Sequence, residues 1–68
     1  MDIYIRDDFI KLGQALKLAG VVQDGVEAKL AIQDGQVQVN GEVDLRRGRK
    51  VYVDDVITYQ GKNITVTR

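Results

Sequence analysis

Two runs, Glu27-Ala28-Lys29-Leu30-Ala31-Ile32-Gln33-Asp34-Gly35-Gln36-Val37-Gln38-Val39-Asn40-Gly41 and, shortly after it, Arg46-Arg47-Gly48-Arg49-Lys50, set the pattern for the whole chain. Ala28, Ala31 and Ile32 recur at helical spacing, and Gly35 can close a helix in the left-handed conformation. The period then changes to two: Val37 and Val39 point one way, Gln36 and Gln38 the other, as in a half-buried strand. Asn40-Gly41 is a tight-turn signal because both residues tolerate positive φ. The second run places four cations in five residues, with Gly48 among them.

Upstream of the first run, Asp24 is a suitable N-cap for its helix, which should end near Asp34. Val21-Val22-Gln23 is a link. An earlier helix is predicted from Asp7, with Phe9, Leu12, Leu16 and Ala19 at helical spacing, Asp7 or Asp8 as its cap and Gly20 as its terminator. Lys11, Gln14 and Lys17 form a polar stripe on its other face. The two alanines of the second helix would let the first pack closely against it. At the start of the chain, Asp2 to Arg6 alternates, with Ile3 and Ile5 inward, as a short edge strand does. Downstream, strands are predicted at Lys50 to Val53, Val56 to Gln60 and Asn63 to Thr67, separated by turns at Asp54-Asp55 and Gly61-Lys62. The expected fold is α+β: two packed helices against a small, mainly antiparallel sheet with short terminal strands, residues 1–68 forming one domain.

A chain of 68 residues buries only about 60% of its unfolded surface, which leaves little room for an internal pocket. Cysteine, histidine, serine, proline and tryptophan are all absent. Covalent catalysis therefore lacks its usual nucleophile and base pairs, and zinc its usual ligands. Asp7-Asp8 and Asp54-Asp55 are better read as cap and turn than as a cation site, because neighbours on a strand point to opposite faces and no third oxygen ligand is suggested. The seven glycines are scattered, so there is no phosphate-cradling loop. The expectation is a binding protein without catalytic activity, cofactor or metal. The N-terminus carries acids where a secretory signal carries cations, and no apolar run is long enough to span a bilayer, so a cytoplasmic protein away from membranes is expected. Ten basic and ten acidic residues give zero net charge. Distribution is more telling than the sum: the cations of Arg46 to Lys50 are free of intervening acids, while many acids lie toward the two ends.

Helix, helix, Gly-x-Val-x-Val-Asn-Gly, a basic loop and Val-x-Val-Asp-Asp-x-Ile, spanning about Lys11 to Ile57, resemble the RNA-binding domain named after ribosomal small-subunit protein S-four. That module also occurs in pseudouridine synthases, bacterial tyrosyl-tRNA synthetases, some rRNA methyltransferases and a heat-shock protein that binds free large ribosomal subunits. Because the chain starts and ends close to the module, it is similar to a stand-alone bacterial subgroup carrying a terminal strand at each end. The resemblance implies that the helix pair and the loop form one RNA-facing surface. Lys11 stands where the family often has the arginine of Arg-Leu-Asp, and Lys29 where it has an arginine after Glu-Ala. Asn40 and Gly41 stand as its Asn-Gly, and Arg46, Arg47, Arg49 and Lys50 occupy its basic loop. There are departures. The family usually opens its second helix Ser-Arg, here Asp24-Gly25, which removes a cation and adds an acid. Its Gly-Asp before the following strand reads Asp54-Asp55, and Gly13 replaces an acid of the first helix.

Each candidate also has an ordinary structural reading. A short charge run is commonly a solvated loop; Lys11, Gln14, Lys17 and Lys29 are by default exposed helix positions; Asn40 is explained by its turn. Arginine-rich composition favours phosphate recognition in the loop, since the guanidinium offers planar paired donors. Tyr4, Tyr52 and Tyr59 are read as sheet packing rather than as base-stacking groups. The expected RNA-binding set is Lys11, Gln14, Lys29, Asn40, Gly41, Arg46, Arg47, Arg49 and Lys50. The expected partner is structured RNA, ribosomal or transfer, including a ribosomal particle, bound by a monomer through shape and phosphates. The alternative is a protein-interaction module that keeps the fold with weak RNA affinity. DNA is a poor candidate because the second helix carries no base-reading set.

Overall fold

Alternation and helical periodicity aim the apolar residues at a common interior. In the computed structural model, which describes residues 1–68, the elements are β1 (Asp2–Tyr4), β2 (Phe9–Lys11), α1 (Leu12–Leu18), α2 (Gly25–Gln33), β3 (Val37–Val39), β4 (Glu42–Val43), β5 (Lys50–Tyr52), β6 (Val56–Tyr59) and β7 (Lys62–Thr67). Five strands form one sheet in the order β1-β7-β6-β3-β4, antiparallel throughout except for the parallel pair β1–β7. β2 and β5 make a separate antiparallel ribbon. This is the expected α+β arrangement, with β1 on a sheet edge. No helix is long and apolar enough to cross a membrane.

One cluster of buried apolar side chains joins sheet and helices. Val37 and Val39 face it while Gln38 stays exposed, so the period-two reading holds. From α1 come Leu12, Ala15 and Leu16, and from α2 Ala28, Ala31 and Ile32, all buried. α2 begins where Asp24 predicts: its Oδ1 accepts the Glu27 N–H at 2.8 Å, while the Glu27 carboxylate reaches one residue beyond the cap and accepts the Gln23 N–H. Gly35 closes the helix at φ +76°. Asn40 (φ 53°) and Gly41 (φ 86°) turn β3 into β4, with the two positive φ values that a two-residue hairpin turn needs. Gln60 (φ 51°) and Gly61 (φ 76°) repeat that geometry, so the second turn sits one residue earlier than expected and β7 starts at Lys62.

The start of the first helix differs from the sequence expectation. Phe9 to Lys11 is not its first turn but strand β2, paired with β5, and Asp7 and Asp8 cap nothing. The N-cap position falls to Lys11, whose side chain makes no capping bond. Loop carbonyls take over instead: the Leu12 N–H donates to Arg49 O at 2.8 Å and the Gly13 N–H to Arg47 O at 3.0 Å. These bonds satisfy amides that a helix start leaves without internal partners. They also fasten the basic loop to α1.

Candidate nucleic-acid interface

The loop after β4 is organised by an acid. Asp44 is only 6% exposed. Its Oδ1 accepts the Arg46 N–H at 2.9 Å and Arg46 Nε at 3.1 Å, and its Oδ2 accepts Arg46 Nη2 at 2.8 Å and Arg49 Nη1 at 2.9 Å. Hydrogen bonds from the Arg46 side chain hold this carboxyl well below the usual carboxylate range, against the opposing effect of burial; the Arg46 backbone N–H and Arg49 add to the lowering. Two of the four loop cations are thus already paired within the protein. The run has no intervening acid, as expected, but Asp44, two residues ahead of Arg46, was not weighed as its partner. The signal was present, since an aspartate that receives the N–H two residues on is a common turn device.

Arg47 is held differently. Its aliphatic stem crosses α1 at Gly13, where a Cβ would come within 2.8 Å of Arg47 Cγ. The missing side chain at position 13 therefore makes room for the arginine. Between this stem, α1 and the start of α2 lies an open cleft of about 350 Å³, lined by Lys11, Gly13, Gln14, Lys17, Gly25, Ala28, Arg47 and Gly48. No acid lines it, and Lys11, Lys17 and Arg47 form no salt bridge. Gly25 leaves the wall open: a Cβ there would meet nothing within 4 Å. The acid at Asp24 is tied into the helix cap.

Of the expected set, Lys11, Gln14 and Arg47 share this cleft. Arg46, Arg49 and Lys50 line a neighbouring shallow depression with Glu42 and Gly48, so Gly48 borders both. Lys29 is exposed on α2 but is not part of either lining. Asn40 and Gly41 occupy the β3–β4 turn. The Asn40 amide is already engaged, donating to Asp55 Oδ1 at 3.0 Å and accepting the Val56 N–H at 2.9 Å. Lys17 joins the cleft although the sequence reading left it on the polar stripe; its three-residue spacing from Gln14 was the available signal.

Comparison with known proteins gives a consistent picture. The family described as S4 domain matches residues 3–67. A Bacillus subtilis (strain 168) protein named probable ribosome maturation protein RlbA is 51% identical over 59 residues, which cover 87% of this chain and 83% of that protein. The putative RNA-binding protein YbcJ of Escherichia coli (strain K12) is 35% identical over 57 residues, covering 84% of this chain and 81% of YbcJ. The solution structure of YbcJ, described as revealing an ALFAL motif involved in RNA-binding, superposes with a TM-score of 0.76 at 29% identity, covering 98% of this chain and 86% of that one.

Proposed function

This chain belongs to the S4-domain family, and from that premise we propose that it is a cytoplasmic, non-catalytic, monomeric RNA-binding module of one domain that grips the phosphates of structured RNA. The observation that carries this reading is the acid-free cleft in which Lys11, Lys17 and Arg47 converge beside Gln14. Three cations around a concave wall suit a bent phosphate backbone, and Arg47 adds planar paired donors. Arg46, Arg49 and Lys50 flank the cleft through the neighbouring depression, and Lys29 lies farther along α2. Gly41 and Asn40 shape the hairpin. Ribosomal RNA, including a ribosomal particle, is the favoured target, with transfer RNA second; the name of the Bacillus subtilis relative supports that order.

Phosphate recognition has a salt signature. With three unpaired cleft cations, log affinity should fall against log salt with a slope of about −2.5, roughly thirtyfold for a fourfold rise in salt. Replacing Lys11 and Arg47 together by alanine should flatten that slope by about two while leaving the thermal unfolding midpoint near the parent value. Fluorescence anisotropy with a ribosomal-RNA hairpin, at several salt concentrations, measures both. A salt-independent affinity, or a double variant with the parent slope, overturns the cleft as the RNA site.

A further inference from the structure

The β2–β5 ribbon has two unlike faces. Its register pairs Phe9 with Tyr52, Ile10 with Val51 and Lys11 with Lys50. Val51 is buried and Ile10 packs against the core, so alternation puts Phe9, Lys11, Lys50 and Tyr52 on the outer face. Tyr52 remains 48% exposed there. Its ring centroid lies 6.0 Å from that of Phe9, with the planes tilted by 54°, and Lys50 Nζ stands 4.7 Å from the Phe9 centroid. Two aromatic rings and two ammonium groups thus share one small surface.

Its register sets two like charges side by side, next to a depression that Asp7 and Asp8 line with Phe9 and Lys11. Lys11 and Lys50 are directly opposite each other on the ladder, where like charges repel, and neither forms a salt bridge. Asp8, in the segment leading into β2, is paired with Arg68 at 3.4 Å, and Asp7 carries its charge in the same segment. An anionic ligand would relieve the Lys11–Lys50 repulsion. The exposed ring beside them specifies what kind: a flat π-face flanked by negative charge. Lys11 also lines the phosphate cleft, so the two surfaces are continuous.

We propose that the outer face of the β2–β5 ribbon is a stacking platform for an unpaired nucleotide of the bound RNA. Tyr52 supplies the ring, Phe9 fixes its tilt, and Lys11 and Lys50 neutralise the flanking phosphates. This rests on the RNA-binding reading above and adds a preference for RNA in which a single-stranded base adjoins the part held in the cleft. Aromatic stacking accepts any base, so the preference is for an unpaired base rather than for its identity.

The test uses the full chain and two probes: a short RNA hairpin with a single-stranded adenosine tail, and the same hairpin with a tail of abasic ribose phosphates. Charge is then constant and only the bases differ. The adenosine tail should bind about tenfold more tightly, within the range of aromatic–base stacking. Tyr52→Leu should erase that difference while leaving affinity for the abasic probe unchanged, and Tyr52→Phe should retain it. In the parent protein, Tyr52 ring protons should move upfield with the adenosine probe only, a readout that does not depend on any variant folding. Equal affinity of the parent for both probes overturns the platform while leaving the RNA-binding reading intact. Retention of the preference in Tyr52→Leu, an equal loss for both probes, or unmoved ring protons also overturn it. Failure to bind either hairpin at low salt overturns both readings.

Discussion

Gly13→Ala probes the contact that positions Arg47. The added Cβ would stand 2.8 Å from Arg47 Cγ and 3.4 Å from its Cδ. Non-bonded carbons settle at about 3.5–4.0 Å, so the stem has to retreat by about 1 Å. The loop backbone has less reason to move: the Gly13 N–H holds Arg47 O at 3.0 Å, and that oxygen would lie 3.7 Å from the new carbon, an ordinary contact. The side chain therefore yields, and a shift at Cγ grows toward the guanidinium, carrying it out of the cleft. Alanine is favoured over glycine within a helix by about 1 kcal/mol, and the lost stem packing offsets a similar amount. Unfolding free energy should thus stay within about 1 kcal/mol of the parent, while the salt slope for RNA falls by about one as a phosphate contact is lost. Urea unfolding followed by circular dichroism gives the first quantity, and anisotropy at several salt concentrations the second. Unchanged affinity and slope would refute a phosphate role for Arg47 in this position. A stability loss above about 2 kcal/mol would refute an easy retreat of the stem, because it is the cost of overpacking that is not relieved.

Two further substitutions address the loop acid and the hairpin. Because the Asp44 carboxyl titrates below the ordinary aspartate value, its contribution to stability is complete above about pH 5 and is lost as pH falls from about 4 through the lower folded value. Asp44→Asn should be less stable than the parent at neutral pH and lose less on acidification; urea midpoints from about pH 7 to about pH 2 will show the two curves converging, whereas parallel curves would mean the carboxylate is not engaged. Asn40→Ala places a Cβ-bearing residue without a local polar group at φ 53°, and removes the amide's two hydrogen bonds. A loss of about 2 kcal/mol of stability is expected with RNA affinity unchanged. A weaker affinity at every salt concentration, with the parent slope, would instead make Asn40 an RNA contact.

Much of the molecule was legible because its causes are local. The capping residue Asp24, the stop at Gly35, the alternation of Val37 with Val39 and the turn at Asn40-Gly41 each follow from conformational preferences a few residues wide. Such signals were enough for the helix pair, the mainly antiparallel sheet and the edge position of β1. The family resemblance, rather than these local signals, pointed to Lys11 and Arg47, which share the cleft with Gln14. The same local logic failed at Phe9, whose helical spacing to Leu12 and Leu16 is genuine. Pairing with Tyr52, a residue far along the chain, made it a strand instead.

By itself the sequence determined most element types, their approximate order and the presence of an arginine-rich loop, since periodicity and turn chemistry act between near neighbours. Apart from the local Asp44–Arg46 turn, tertiary structure decided how the cations are shared out. Arg46 and Arg49 turn to the buried carboxylate of Asp44, Lys50 to the ring of Phe9, and Arg47, crossing the bare backbone of Gly13, to the cleft with Lys11 and Lys17. A charge count cannot make that division, because electrostatic pairing depends on distance and burial in space rather than on separation along the chain.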